Sequence, residues 1–335
     1  MLELDGSEGG GQLFRSALAL SAVTGTPFEM ADVRGSRPEP GLRPQHQTAL
    51  EVLVDICDAT VEGNELGATT VTFDPGDPQG GQYHAEIGTA GSITLLFDAV
   101  LPLATVLDEP LVLTASGGTD VQWSPPMAYY RQVKLPVVTD HGIHAAVTVD
   151  RPGFYPAGGG EATLRLAPSN VEPIDLVEPG SLDGARIYST ASLDLCDSSV
   201  ARRKATAATE QLAAADVDDT AVTTRYAATP STGSVLVIRL DFEHSIAGST
   251  ARGKRGKPAE NVASEAVERA LAVRDSPVAV DAHLADQLVP FLGLGGGKVS
   301  IPRVTDHVES HCALLDRFGL EIDQVPWASG TILLG

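Results

Sequence analysis

The sequence predicts an α+β fold in which a large, discontinuous domain carries a smaller insert. Three observations point there. Short strand patterns alternate with amphipathic helical stretches along most of the 335 residues. Glycine-rich turns, drawn from 34 glycines, repeatedly lead into helix starts. The composition then changes over about residues 180–275, and the style of glycine loop followed by helix returns after it. Hydrophobic residues at 43% and charged residues at 20% supply a core and exclude a disordered or fibrous chain. At about 150 residues per domain, the length suggests about two domains.

The elements follow in order. Gly6-Ser-Glu-Gly-Gly-Gly11 leads into a helix whose Leu13, Phe14, Ala17, Leu18 and Ala22 recur at helical spacing. A second helix is expected over about 45–57, with Leu50, Leu53, Val54 and Cys57 on one stripe. Strands are expected at 71–73 and 83–87, after which Gly88-Thr-Ala-Gly-Ser92 opens an apolar helix reaching about Leu103. A strand over 111–119, a helix from 125 to about 139, a strand at 145–149 and a glycine turn at 153–160 continue the pattern. The insert shows a strand at 186–193, a polar helix at 198–214, a strand at 234–242 and a helix at 260–273. Pro179-Gly180 and Asp275-Ser-Pro277 mark its borders, so the large domain is expected at 1–180 and 276–335 and the insert at 181–275. A helix over 281–297 resumes the earlier style.

Charge excludes several function classes. Twenty-three basic against 44 acidic side chains give −21, which argues against a general nucleic-acid coat or an anionic membrane as partner. Only five lysines stand beside eighteen arginines, a balance that suits very high salt and suggests a halophile's cytoplasmic protein. Cys57, Cys196 and Cys312 are odd in number and far apart, so neither a disulfide framework nor a zinc site is expected. No basic stretch followed by an apolar one opens the chain, so no signal peptide is expected, and the apolar run over 13–24 is too short and polar for a bilayer.

Several constellations could carry chemistry. The first glycine turn gathers backbone N–H groups and a helix N-terminus beside Glu8 and Arg15, an arrangement suited to phosphate and a divalent cation, although such turns often serve structure alone. Arg34-Gly-Ser-Arg37-Pro-Glu-Pro-Gly-Leu-Arg43-Pro-Gln45-His46 sets three arginines, an amide and an imidazole on a proline-stiffened loop, where bidentate phosphate contacts cost little ordering. Arg252-Gly-Lys-Arg-Gly-Lys257 is a second basic cluster, read equally as a substrate contact or a solvated turn. His283 and Asp286 share a helix face, as do His307 and His311 if that stretch is helical. With no third ligand and no HExxH, the last pair is a poor zinc site; a nucleophilic imidazole is the sharper reading, although an ordinary surface or core histidine is the commoner one. No P-loop is present, and no lysine sits in a Lys-x-Asp-Gly context.

Together these residues resemble the RNA 3′-terminal phosphate cyclase family over essentially the whole chain. The motifs, in order, are residues 4–21 around the first glycine turn, Arg34-Gly-Ser-Arg-Pro-Glu-Pro-Gly-Leu, Gln45-His46 and Ile87-Gly-Thr-Ala-Gly-Ser. Then come Ser116-Gly-Gly-Thr-Asp, Gly153-Phe-Tyr-Pro-Ala-Gly-Gly-Gly-Glu, Arg255-Gly-Lys-Pro-Ala-Glu and His283-Leu-Ala-Asp-Gln-Leu. The resemblance implies a large domain of three βαβαββ-type repeats with a smaller inserted α/β domain of thioredoxin-like topology. It also implies an ATP-dependent reaction. A histidine attacks the α-phosphorus of ATP and expels pyrophosphate, AMP passes to the terminal RNA phosphate, and the ribose 2′-OH closes a 2′,3′-cyclic diester while AMP leaves.

By that resemblance His307 is the nucleophile. Glu8 would hold Mg²⁺ or Mn²⁺. Arg15, Arg34, Arg37, Gln45, His46, Asp98, His283, Asp286 and Gln287 would line the ATP and RNA-phosphate sites. Asp98 stands where the family usually has glutamine, so its charge beside phosphates requires a cation or arginine to meet it. Val-Glu-Ser-His replaces the family's Thr-x-Thr-Asn after His307. The expected partners are ATP and RNA 3′-phosphate ends, with no membrane and a homodimer as the candidate assembly. Two rival readings are a catalytically silent relative that serves ribosome assembly and, more distantly, a phosphate-binding transferase of the enolpyruvyl type.

Overall fold

The computed structural model describes residues 1–8, 10–88, 90–328 and 330–335. Gly9 of the first glycine turn and Thr89 of the turn before Ser92 therefore lie outside the described residues. The fold is α+β, with four small mixed sheets.

The first sheet comprises β1 (Leu2–Asp5), β2 (Phe28–Ala31), β3 (Thr60–Glu62) and β4 (Val71–Asp74), in spatial order β1-β2-β4-β3. Helix α1 (Gly11–Thr24) joins the parallel pair β1 and β2, and α2 (Pro44–Cys57) crosses from β2 to β3. The second sheet repeats the order β5-β6-β8-β7, with β5 at Gly81–Glu86, β6 at Leu111–Gly117, β7 at Ala145–Arg151 and β8 at Gly160–Leu166. Helix α3 (Ile93–Val100) joins its parallel pair. Between β6 and β7 the chain forms α4 (Met127–Tyr129), a π-turn over Tyr130–Lys134 and α5 (Leu135–Asp140).

The third sheet draws on distant parts of the chain. Strand β9 (Ile174–Leu176) pairs in parallel with β14 (Gly297–Ile301), and β15 (Asp323–Trp327) and β16 (Gly330–Leu334) complete the order β15-β16-β14-β9. Helix α8 (Ala282–Gly295) precedes β14, and α9 (Asp306–Arg317) follows it. Each of the three sheets thus has a parallel pair followed by two antiparallel strands, with the fourth strand lying inside the third.

The fourth sheet lies in sequence between β9 and α8. It contains β10 (Leu182–Ser192), β11 (Thr220–Ala227), β12 (Ser234–Phe242) and β13 (Ile246–Arg252), in order β11-β10-β12-β13. Helices α6 (Val200–Ala213) and α7 (Ala259–Arg274) pack on it through a core of their own, including Ile187, Leu212, Leu236, Ile238 and Val267. The larger core runs continuously through the other sheets and helices.

Sequence periodicity placed the helices well because each buries an apolar stripe, as with Leu50, Leu53 and Cys57 of α2. Several strands escaped it, among them β3, β11 and β15. Those three are short or mostly exposed, and their residues lack the clean alternation of a half-buried strand.

One carboxylate joins the fourth sheet to the rest. Asp281, 4% exposed, caps α8 by accepting from the backbone N–H groups of His283 at 2.9 Å and Leu284 at 3.2 Å. It also accepts the Tyr129 hydroxyl at 2.8 Å and the backbone N–H of Gly248 in β13 at 2.9 Å. A Cβ at residue 248 would come within 2.8 Å of Val133 and 3.0 Å of Tyr129, so only glycine lets the strand approach this closely. Asp281→Ala would orphan a buried hydroxyl, a strand N–H and the helix cap together. It is expected to lower stability by about 3 kcal/mol or more, with Asp281→Asn losing less, as read by urea denaturation.

Candidate active site

The starts of α1, α2, α8 and α9, with Leu95, Asp98 and Ala99 further along α3, converge on one cavity of about 720 Å³, closed on one side by the 122–126 turn and by Thr250 and Arg252 at the end of β13. Its walls include Arg15, Arg34, Arg37, Gln45, His46, Asp98, His283, Asp286, Gln287 and His307. These ten are the nucleophile and the nine nucleotide- or phosphate-site residues expected from the sequence. Helix N-termini carry partial positive charge, so their convergence suits a polyanion. The start of α1 has no side-chain cap, which leaves its first-turn N–H groups available.

The glycine turn earns its composition by close approach. A Cβ at residue 11 would lie 1.8 Å from His46 Nε2, and one at residue 10 would lie 3.0 Å from the Arg37 guanidinium. His46 thus packs its ring edge on the backbone that begins α1. The Arg43 backbone N–H donates to His46 Nδ1 at 3.3 Å. Burial, with Arg15, Arg34 and Arg43 nearby, pushes its pKa down to about 3, so the ring is neutral with its proton on Nε2. The 32–41 loop is fastened to the same turn: Gly35 N–H donates to Gly6 O at 3.4 Å and Ser36 N–H to Ser7 O at 2.8 Å.

The arginines differ in their surroundings. Arg15 is buried on α1, and burial lowers its pKa to about 10 while Asp98 and Asp286 oppose the shift, so it stays charged at neutral pH. Arg34 adopts φ +57° and donates to Glu39 O at 2.9 Å and Gly41 O at 2.8 Å, which shapes its own loop. Among the described residues, Arg37 makes no such hydrogen bond within its loop. Of the basic cluster at 252–257, only Arg252 reaches the cavity, where it donates to Ser124 O, whereas Lys257 pairs with Glu265 of α7.

The acids of the cavity are already engaged. Asp98 is paired with Lys134, whose buried ammonium also lies 5.3 Å from the Tyr130 ring centre and 5.7 Å from that of Phe291. The cation that the unusual Asp98 required is therefore a lysine delivered by the π-turn. Asp286 lies 3.2 Å from His311 Nδ1 and accepts from Gln12 Nε2 at 2.6 Å. Burial opposes its ionisation, but His311, Gln12 and the nearby His307 overcome that and hold its pKa below the ordinary value. Ser16 Oγ sits 2.6 Å from His311 Nε2, completing a chain from α8 through α9 to α1.

His307 and His311 fall on one helix, as their spacing required, yet they differ in access. His307 is exposed on the first turn of α9, and His311 is buried beneath it. Three buried polar atoms in the wall have no partner among the described residues: Gln45 Nε2, Gln287 Oε1 and Arg252 Nε. Unpartnered polar atoms lining a cavity are positions where a ligand's donors and acceptors are wanted.

Gln12, Ser16, Lys134 and the structural part of His311 were not singled out from the sequence. Polar residues at 12, 15 and 16 on an otherwise apolar helix were the available signal for the first two, and a lone lysine in the apolar 125–139 stretch was the signal for the third. Glu8 is exposed and does not line the cavity. Among the described residues no three His, Cys, Asp or Glu side chains gather to hold a metal ion. No step below passes through a metal. Among the described residues, no helix is long and apolar enough to cross a membrane.

Comparison with known proteins gives the family. The family model described as RNA 3′-terminal phosphate cyclase matches residues 6–322. The RNA 3′-terminal phosphate cyclase of Halobacterium salinarum is 45% identical to this chain, covering 99% of it and 98% of the relative. That of Pyrococcus furiosus is 36% identical, covering 98% and 96%, and that of Methanococcoides burtonii is 37% identical, covering 95% and 94%. On the match along nearly its full length, the chain belongs to the RNA 3′-terminal phosphate cyclase family.

Proposed function

We propose that this cavity binds ATP and an RNA 3′-phosphate end together and converts that end to a 2′,3′-cyclic phosphodiester, with His307 carrying AMP between them. The overall activity is that of an RNA 3′-terminal phosphate cyclase, an ATP-dependent ligase. The observation that carries the assignment of roles is the convergence of ten residues from five helices and the 32–41 loop on one cavity, with an exposed imidazole at its edge.

The chemistry explains why a nucleophile is needed. A phosphate monoester cannot expel oxide, whereas an anhydride with AMP has a good leaving group. The His307 imidazole attacks the α-phosphorus as pyrophosphate departs, and the phosphoramidate then yields AMP to the RNA phosphate. The ribose 2′-OH displaces that AMP and closes the ring. Arg15, Arg37 and the open start of α1 neutralise phosphate charge, while neutral His46 donates from Nε2 without adding a cation. Gln45 and Gln287 offer their unpartnered amide atoms to the nucleotide. Asp98 acts through Lys134, which it fixes, and Asp286 acts through His311 and Gln12. The enzyme's share is therefore mostly positioning and charge neutralisation.

The same reading carries the finer architecture and setting. The large domain over 1–180 and 276–335 comprises three βαβαββ repeats, and the 181–275 insert has thioredoxin-like topology. The shared strand order of three sheets and the insert's separate core support this. A cytoplasmic location and a homodimer are part of the proposal, as is Mg²⁺ or Mn²⁺ arriving on the triphosphate.

Incubation with α-labelled ATP and Mg²⁺ is expected to leave acid-labile label on the protein, and His307→Ala to reduce it roughly a thousandfold or more. No label on the wild type would contradict the nucleotidyl-transfer chemistry, and equal labelling of His307→Ala would move the nucleophile, with His311 next to test. Arg37→Ala is expected to lower kcat/KM for RNA cyclisation about ten- to hundredfold, the cost of lost charge-assisted hydrogen bonds, with an unchanged melting temperature. Arg34→Ala should lower both, because its guanidinium also holds the loop carbonyls.

A further inference from the structure

Trp123 is 89% exposed and stands in the wall of the cavity. Hydrophobic burial does not hold it there. Its backbone has φ +59°, a region that costs a bulky side chain of order 1–3 kcal/mol unless its surroundings impose it. Those surroundings do impose it. Ser124 O accepts from Arg252, Ser124 Oγ donates to Val121 O at 3.2 Å, and Pro125 O accepts from Thr94 Oγ1 at 2.9 Å. On the other side Thr119 Oγ1 donates to Asp120 at 2.6 Å. A turn pinned on both flanks thus holds one aromatic face out in water beside the reacting groups.

We propose that Trp123 is a stacking platform for a base of the RNA's 3′-terminal segment, a proposal that rests on the cyclase reading of the cavity. An exposed ring on a rigid turn can take any base face without prior ordering, as a strand-binding site requires. The adenine of ATP is better served inside, where Leu95, Ala99, Pro102 and Phe291 line the wall. A second exposed aromatic lies on the adjoining turn: Asp120 bridges to Phe154, and Tyr155 beside it is 59% exposed. In a chain of charge −21, stacking also gives affinity that neither depends on net charge nor fades with salt.

Because the ring is exposed, Trp123→Ala removes little packing and tests the idea cleanly. For a 3′-phosphorylated oligoribonucleotide it is expected to raise KM about ten- to hundredfold, with Trp123→Phe close to wild type. Labelling of the protein by α-labelled ATP should stay within about twofold of the wild type. In a Trp327→Phe background, the oligonucleotide should quench the remaining tryptophan emission and ATP alone should not. An unchanged KM for RNA, labelling reduced as much as cyclisation, or quenching by ATP alone would each overturn the proposal. Absence of labelling in the wild type would overturn the cyclase reading instead, and the quenching titration would still report on RNA.

Discussion

The buried carboxylate of Asp281 is the constraint on which the site's geometry depends. It receives the first N–H groups of α8, the hydroxyl of Tyr129 and a strand N–H of the fourth sheet. Because α8 starts at this point, His283, Asp286 and Gln287 emerge at fixed places on the cavity wall. Asp286 then reaches His311 on α9 and Gln12 on α1, so the helix that carries His307 is referred to the same anchor. A site assembled from five helices and a separate sheet needs such cross-links, since each element alone would be free to shift by more than the chemistry tolerates.

The electrostatics of the cavity invert those of the surface. The chain as a whole carries −21, but the acids in the cavity are occupied: Asp98 by Lys134, Asp286 by His311 and Gln12. Arg15 and Arg37 remain for phosphate, together with the uncapped start of α1. This reconciles an acidic protein with a polyanionic substrate. Long-range attraction is weak at about 1 M salt, where the Debye length is about 3 Å, so contact must be short and directional. The kinship with a protein of Halobacterium salinarum fits an acid-rich surface suited to salt.

How much of this the sequence disclosed depends on the kind of interaction. Helices that bury one stripe, such as α1 and α2, were legible from apolar spacing. Three-residue strands such as β3 and β9 were not, because they are defined by partners far along the chain and not by local pattern. In the site, Arg37, His46 and His307 were found through motifs. The Ser16–His311–Asp286 chain and the Lys134–Asp98 pair were not, since each joins residues from separate helices and appears only on folding. Asp98 shows the boundary between the two: its oddness was visible in the sequence, whereas its answer was not.

The central claim is that His307, exposed at the edge of the cavity, is the atom donor that takes up AMP while His311 beneath it stays in its buried bonds. Mapping the AMP adduct of the wild-type protein by peptide mass spectrometry, after brief exposure to ATP without RNA, tests this most directly. The account predicts AMP on His307 alone. Adduct on His311, or on one of the five lysines, would contradict it.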